Sequence, residues 1–198
     1  MTRALPAAAL SLGILLASAA AGSANPRQGV SFDRLMEEAG LRLVPTLAME
    51  EIAPPATSLF TFQKAYRHKL APFEVWYAVR PLSRVEIKYD DPHSSAPNPD
   101  HVFPLVFQTL IGKLARHGHS PTRVYPPEKA RAIFNADWAA AALFDADPAL
   151  GSKYAQAMLF AYHKNGKGDA YALFLFDDPK AAKPLIDILL DDLRFADD

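Results

Sequence analysis

The sequence predicts an α+β fold, a largely antiparallel sheet flanked by helices in a single sandwich-like domain. Strand-like runs follow one another and are joined by short turns, a connection that only antiparallel neighbours can use. Between and after them lie segments with apolar residues at helical period, and their apolar stripes need a sheet face to cover. No repeat or interior linker indicates a second folding unit.

The first elements are a short helix and a loop. Ser31 suits an N-cap for a helix from Phe32 to Ala39, and Gly40 suits the C-terminal position that needs positive φ. Residues 53–58, with two prolines, then predict a loop.

A hairpin is predicted next, from runs at 60–67 and 73–80. In the second run, alternation separates two faces, and Pro81 ends the strand. One face carries Phe73, Val75, Tyr77 and Val79, and the other carries Glu74, Trp76, Ala78 and Arg80. A further short strand is predicted at 85–89, followed by a proline-rich loop over 90–99.

Two helices follow this loop. Asp100 is a candidate N-cap for the first, which Gly118 can close. Its apolar stripe consists of Val102, Phe103, Val106, Phe107, Leu110, Ile111 and Leu114. Pro126 and Pro127 favour the start of a shorter second helix.

The last part predicts three strands and a terminal helix. The alanine-rich run 137–144 suits a helix by propensity, but the turn and the strands after it favour a strand. Runs at 154–162 and 169–176 flank Asn165-Gly166, a strong hairpin signal. Asp178 and Pro179 predict the start of a helix over 179–194.

The N-terminus is typical of an export signal over residues 1–24. Arg3 precedes an apolar, alanine-rich run, and Gly22-Ser23-Ala24 fits a signal-peptidase site. The alternative is a retained membrane anchor, but the strongly apolar core of the run is short. We therefore expect a periplasmic or secreted protein, with a helix and lead-in at 25–54 and one α+β domain at 55–198.

Composition excludes several classes of function. The chain has 21 basic and 22 acidic residues, so removing residues 1–24, which include Arg3 and no acid, leaves 20 against 22. This balance disfavours nucleic acid as a partner, and no apolar segment of the mature chain favours stable membrane insertion. With no cysteine, thiol catalysis, disulfides, thiolate metal sites and an N-terminal lipid are excluded. No motif predicts a cofactor.

Several segments resemble the fold of the photosystem II PsbP proteins and the nuclear-transport factor Mog1. They are the hairpin 154–176, the helix 179–194 and the closing Leu193-Arg194-Phe195. Residues 73–82 and 135–138 are also similar to segments of uncharacterised exported bacterial proteins of this PsbP/Mog1-like type. The resemblance covers about residues 55–196, is architectural, and brings no functional residue with it. It implies a binding or assembly protein rather than an enzyme.

One cluster of residues could hold a metal ion. Asp91, His93 and His101 offer carboxylate and imidazole ligands within twelve residues, which suits zinc or another divalent ion. The spacing matches no defined ligand pattern, however, and Asp90 and Asp91 are also ordinary turn residues.

A second candidate site is a ligand surface formed by Trp76, Tyr77 and Arg80, because aromatic and arginine side chains favour interfaces. The competing interpretation is that Trp76 and Trp138 pack beneath helices. His163, beside the hairpin turn, is interpreted as a strand-end surface residue. No Gly-x-Ser-x-Gly elbow and no glycine-rich phosphate loop is present in the sequence.

The sequence thus favours an exported, non-enzymatic protein that binds or assembles with an unknown protein or small ligand. The alternative is a metal-assisted hydrolase that uses the 90–101 loop.

Overall fold

The computed structural model of the chain describes residues 30–85 and 99–197. In this part of the chain there are four α-helices: α1 Phe32–Ala39, α2 Pro99–Leu114, α3 Pro127–Phe134 and α4 Pro179–Leu189. The strands are β1 Leu41–Leu43, β2 Met49–Ile52, β3 Lys64–His68, β4 Phe73–Pro81, β5 Thr122–Val124, β6 Trp138–Asp145, β7 Gln156–Lys164, β8 Gly168–Phe176 and β9 Leu193–Phe195.

Seven strands form one antiparallel sheet in the order β2-β3-β4-β8-β7-β6-β5, and β1 and β9 form a separate antiparallel pair. The predicted α+β class is therefore confirmed. Strands β6, β7 and β8 form the predicted meander, while β8 returns to pair with β4 from the first half of the chain.

Helices cover both faces of the sheet. On one face, α1, α3, α4 and the β1–β9 pair pack over one core cluster, which contains the Phe73, Val75, Tyr77 and Val79 face of β4. On the other face, α2 and the segment 59–62 pack over a second cluster, which contains Trp76 and Ala78. The two-face alternation predicted for β4 is thus observed.

Local signals at the ends of the elements are confirmed. The Ser31 hydroxyl accepts a hydrogen bond from the Arg34 N–H, and Gly40 adopts φ 64° at the end of α1. The Asp178 carboxylate caps α4 by accepting from the Lys180 N–H. The 137–144 run is the strand β6 because both of its neighbours in the sheet supply backbone partners.

The helix predicted over 179–194 was too long, because α4 ends at Leu189 and residues 193–195 form β9. The carboxylates of Asp191 and Asp192 would lie at the negative, C-terminal end of the helix dipole, where negative charge is unfavourable. The chain turns there, and the Asp192 carbonyl accepts from the Val44 N–H. Leu193 and Phe195 are then buried in pairing with β1 rather than on a helix stripe.

Three other boundaries differ from the prediction. Strand β3 begins at Lys64 instead of residue 60, since Phe60 and Phe62 leave the sheet to pack on Tyr171 and Trp76. Helix α2 begins at Pro99, which places Asp100 in its first turn instead of at the N-cap. Val85 follows a 3₁₀ turn and is not in a strand; the rest of the strand predicted at 85–89 lies outside the described residues.

Residues 30–54 belong to the same folded unit as the rest, since β1 pairs with β9, β2 pairs with β3, and α1 packs on the core. The predicted export signal at 1–24 lies outside the described residues. Within 30–85 and 99–197, no helix has the length and apolarity to cross a membrane.

Gly168 allows β4 and β8 to approach closely where both strands end. It has φ 146°, and a Cβ built on it would clash with the Arg80 carbonyl oxygen. Gly166, in the adjacent turn, has φ 69° but open space around its Cβ position. Gly168 is therefore constrained both by its backbone conformation and by a close contact, whereas Gly166 is constrained by its backbone conformation alone.

We expect Gly168→Ala to lower the free energy of unfolding by about 3 kcal/mol, since it adds a backbone clash to φ strain. The matched variant Gly166→Ala should cost about 1 kcal/mol from φ alone. Urea unfolding of both variants measures the difference. Equal losses would contradict the close approach at Gly168.

Candidate functional site

An open groove of about 480 Å³ lies between α2 and the ends of β4 and β8. We call it the α2 groove. Its apolar walls are Val102, Leu105, Val106 and Leu110 on one side and Phe60 and Leu82 on the other. Arg80, Lys113 and Asp169 also line it. Its volume lies in the range of small-molecule sites, roughly 300–1,000 Å³.

The groove exists because α2 carries more apolar surface than the sheet covers. Phe103, Phe107 and Ile111 are buried against the sheet. Beside them a second row of apolar side chains faces the groove, and in this row Leu105 is 68% exposed. The 3₁₀ turn that follows β4 ends the sheet face here, so no strand in residues 30–85 or 99–197 covers the second row. An exposed apolar surface of this kind is typical of binding sites.

Two cations border the groove. The Arg80 guanidinium lies over the Phe60 ring, 4.5 Å from its centroid, and Lys113 is exposed near the end of α2. No carboxylate of residues 30–85 or 99–197 forms an ion pair with either side chain. The groove therefore combines apolar walls with two cations that have no ion-pair partner within these ranges, and with the carboxylate of Asp169, the cross-strand partner of Arg80.

Behind Asp169, a histidine lies between two carboxylates. The Nδ1 atom of His163 is 2.7 Å from Oδ1 of Asp169, and its Nε2 atom is 3.0 Å from Oδ1 of Asp100. The second contact is not aligned as a hydrogen bond, so it is mainly electrostatic. The other Asp169 oxygen accepts from the Tyr171 hydroxyl at 3.3 Å. The His163 ring stacks on Phe103, with centroids 5.2 Å apart.

This environment raises the pKa of His163. Burial alone would lower it, since the side chain is only 2% exposed, but Asp169 and then Asp100 outweigh that effect. The interpretation of His163 as a surface residue was therefore wrong. The reason is that Asp100 and Phe103 of α2 pack over the end of the hairpin and enclose the ring.

The same cluster attaches α2 to the hairpin turn. The Gly166 N–H donates to Oδ1 of Asp100, and the Asn165 N–H donates to Oδ2 of Asp137. Sequence reasoning had one usable signal for half of this cluster. The Asn-Gly hairpin signal brings residue 163 close to residues 168 and 169; a two-residue turn would pair it with residue 168, whereas the observed loop has three residues, 165–167, and pairs His163 with Asp169. Nothing local predicts that Asp100 joins them.

The three predicted ligand-surface residues do not come together. Trp76 and Tyr77 are 3% and 1% exposed and lie on opposite faces of the sheet, so neither reaches solvent. The Trp76 indole N–H donates to the buried Glu74 carboxylate. Arg80 alone borders the α2 groove. Trp138 packs edge-on against Phe103 of α2, which agrees with the packing interpretation.

The predicted metal cluster is only partly within the described residues. His101 is exposed on α2, while Asp91 and His93 lie outside the described residues. The parts of the chain that are described contain no group of three or more potential ligands able to hold a metal ion.

Comparison of the chain with protein-family models, with curated proteins and with solved structures found no match in any of the three.

The raised pKa of His163 makes stability depend on pH. The pKa of His163 is higher in the folded chain than in the unfolded chain, where it is about 6.5. Its protonation therefore stabilises the fold fully at pH values below about 6.5, and this contribution to the free energy of unfolding is lost as the pH rises through the pKa of the folded state. We expect Asp169→Asn to lower the pKa of His163. The variant should therefore lose less stability than the wild type between pH 5 and pH 9. Urea unfolding from pH 5 to pH 9, with NMR titration of the His163 ring, measures both. An unchanged titration in the variant would contradict the assigned cause.

Proposed function

We propose that the protein is an exported, non-enzymatic binding protein whose ligand site is the α2 groove. The observation that supports it is the groove itself, a solvent-open cavity of about 480 Å³ with apolar walls and two cations that form no ion pair in the part of the chain that the structure describes. A site of this composition gains affinity from burial of apolar ligand surface and orientation from a few polar groups.

The environment of the ionisable groups favours binding over catalysis. Asp169 lines the groove and, within the described residues, forms an acid–base pair with His163 in which each group is engaged by the other. The His163 ring is enclosed, with Phe103 against its face, and so is poorly placed to exchange a proton with a bound ligand. A general base must reach the proton that it abstracts.

Export is proposed on the character of residues 1–24, and with it a periplasmic or secreted location. The near-neutral charge balance argues against nucleic acid as the partner. We also propose that the domain is of the PsbP/Mog1-like type. The seven-stranded antiparallel sheet with helices on both faces supports that proposal without identifying a ligand.

Changing one exposed groove residue tests the site. Leu105→Glu places a charge in the apolar wall and should weaken binding of an uncharged fluorescent probe, N-phenyl-1-naphthylamine, by about tenfold. Ile188→Glu is the matched control, because Ile188 is 61% exposed on α4, which covers the opposite face of the sheet. Fluorescence titration of the mature protein gives the affinities.

We expect the wild type and Ile188→Glu to bind the probe with one-to-one stoichiometry and equal affinity. Two results would overturn the groove as the site: no saturable binding to the wild type, or equal weakening by the two variants.

A further inference from the structure

We infer that the α2 groove binds a linear aliphatic carboxylate, with the carboxylate on Arg80 and the chain along α2. This inference rests on the proposed function and adds the chemical class of the ligand.

The groove is elongated along α2. Its lining extends from Val102 to Lys113, eleven residue steps along the helix, or about 16 Å at the α-helical rise per residue. The side chains along this length are mainly aliphatic, and Leu82 and Phe60 oppose them from the other side. A narrow aliphatic trough of this length suits an extended hydrocarbon chain better than a compact polar molecule.

Arg80 lies at the end of the groove beside the start of α2. Its guanidinium stacks on Phe60, Phe60 packs on Tyr171 with ring centroids 5.3 Å apart, and Tyr171 packs on Phe103 at 6.0 Å. Arg80 is also the cross-strand partner of Asp169, Asp169 contacts His163, and His163 contacts Asp100 in the first turn of α2. Arg80 therefore lies near the start of α2. Lys113, near the last residue of α2, lies at the other end.

Arg80 is the better of the two cations for a carboxylate. Stacking on Phe60 occupies one face of its guanidinium and limits its rotation, while the N–H groups at the edge of the plane remain available for two parallel hydrogen bonds. Lys113 offers a point charge on a flexible, exposed stem, so more side-chain entropy is lost when it binds.

Asp169 also lines the groove, and its charge would repel an anion if it were unpaired. One of its oxygens is held by His163, whose pKa is raised, and the other accepts from Tyr171. Both oxygens of this carboxylate therefore have a partner within the fold. Asp169 is also the cross-strand partner of Arg80, but no ion pair joins the two side chains, so the Arg80 guanidinium and the Lys113 ammonium are the described groups of the groove that can bind an anion.

Three probes with the same ten-carbon chain test this inference: decanoate, decanol and decyltrimethylammonium. Each competes with N-phenyl-1-naphthylamine for the mature protein at pH 7, below its micelle concentration. We expect decanoate to displace the dye at about tenfold lower concentration than decanol, the contribution of charge-assisted hydrogen bonds to Arg80. The trimethylammonium probe should be the weakest competitor.

Arg80→Gln should abolish the preference for decanoate, which is read as the ratio of the decanoate and decanol affinities of the same variant, and far-UV circular dichroism shows that the variant is folded. Lys113→Gln is the matched variant at the other end and should reduce the preference by less. The preference should also shrink with added salt.

Equal competition by decanoate and decanol, with normal dye binding, would overturn the inference and leave the groove as a binding site. Equal effects of Arg80→Gln and Lys113→Gln would overturn the placement of the carboxylate on Arg80. Absence of dye binding to the wild type would overturn both the inference and the proposed function.

Discussion

Strand β4 pairs with β8 along the whole length of both, from Phe73 opposite Phe176 to Pro81 opposite Gly168. This pairing joins the β2-β3-β4 half of the sheet to the β8-β7-β6-β5 half, and no other strand pair does so within the described parts of the chain. Both core clusters take residues from β4 and from β8. Every helix that covers the sheet therefore packs on a surface that depends on this one ladder.

The position of α2 depends on charge as well as on packing. Asp100 reaches both the hairpin turn and His163, and His163 is held in turn by Asp169. Interactions between charges are stronger in such an enclosed site than in water. The cluster fixes where α2 begins, and Phe103 beside it packs on the sheet. The width of the groove between α2 and Arg80 follows from that placement.

Much of the fold could be predicted because its signals are local. Ser31, Gly40 and Asp178 act at the ends of helices through their own chemistry, and Asn165-Gly166 specifies a turn. The missed elements are those that only tertiary pairing creates. Strand β9 has three residues, and its partner is at the other end of the domain. The intrinsic strand propensity of three residues is too weak to predict a strand that forms only because a distant segment pairs with it.

The candidate site was less predictable for the same reason. Arg80 was identified from its residue type, but period two places Tyr77 on the opposite face of the sheet, and Trp76, on the same face as Arg80, is buried beneath Phe62. The buried state of His163 depends on Asp100, 63 positions earlier in the chain. The groove depends on which apolar residues of α2 remain uncovered, and a helical stripe does not reveal how wide the opposing surface is.

The β4–β8 ladder also constrains how the chain folds. Each residue of β4 finds its partner roughly 90 to 100 residues later, and β1 waits for β9, which lies nearly at the C-terminus. Strands this distant in sequence can pair only after a long loop has closed. The conformational entropy of that loop is lost before the pairing stabilises the chain, and this slows folding. The N-terminal hairpin has an unpaired edge at β4 until β8 is available. During synthesis, this edge of β4 has no partner until β8, which begins at Gly168, has been made, and an edge held open that long favours association with other chains.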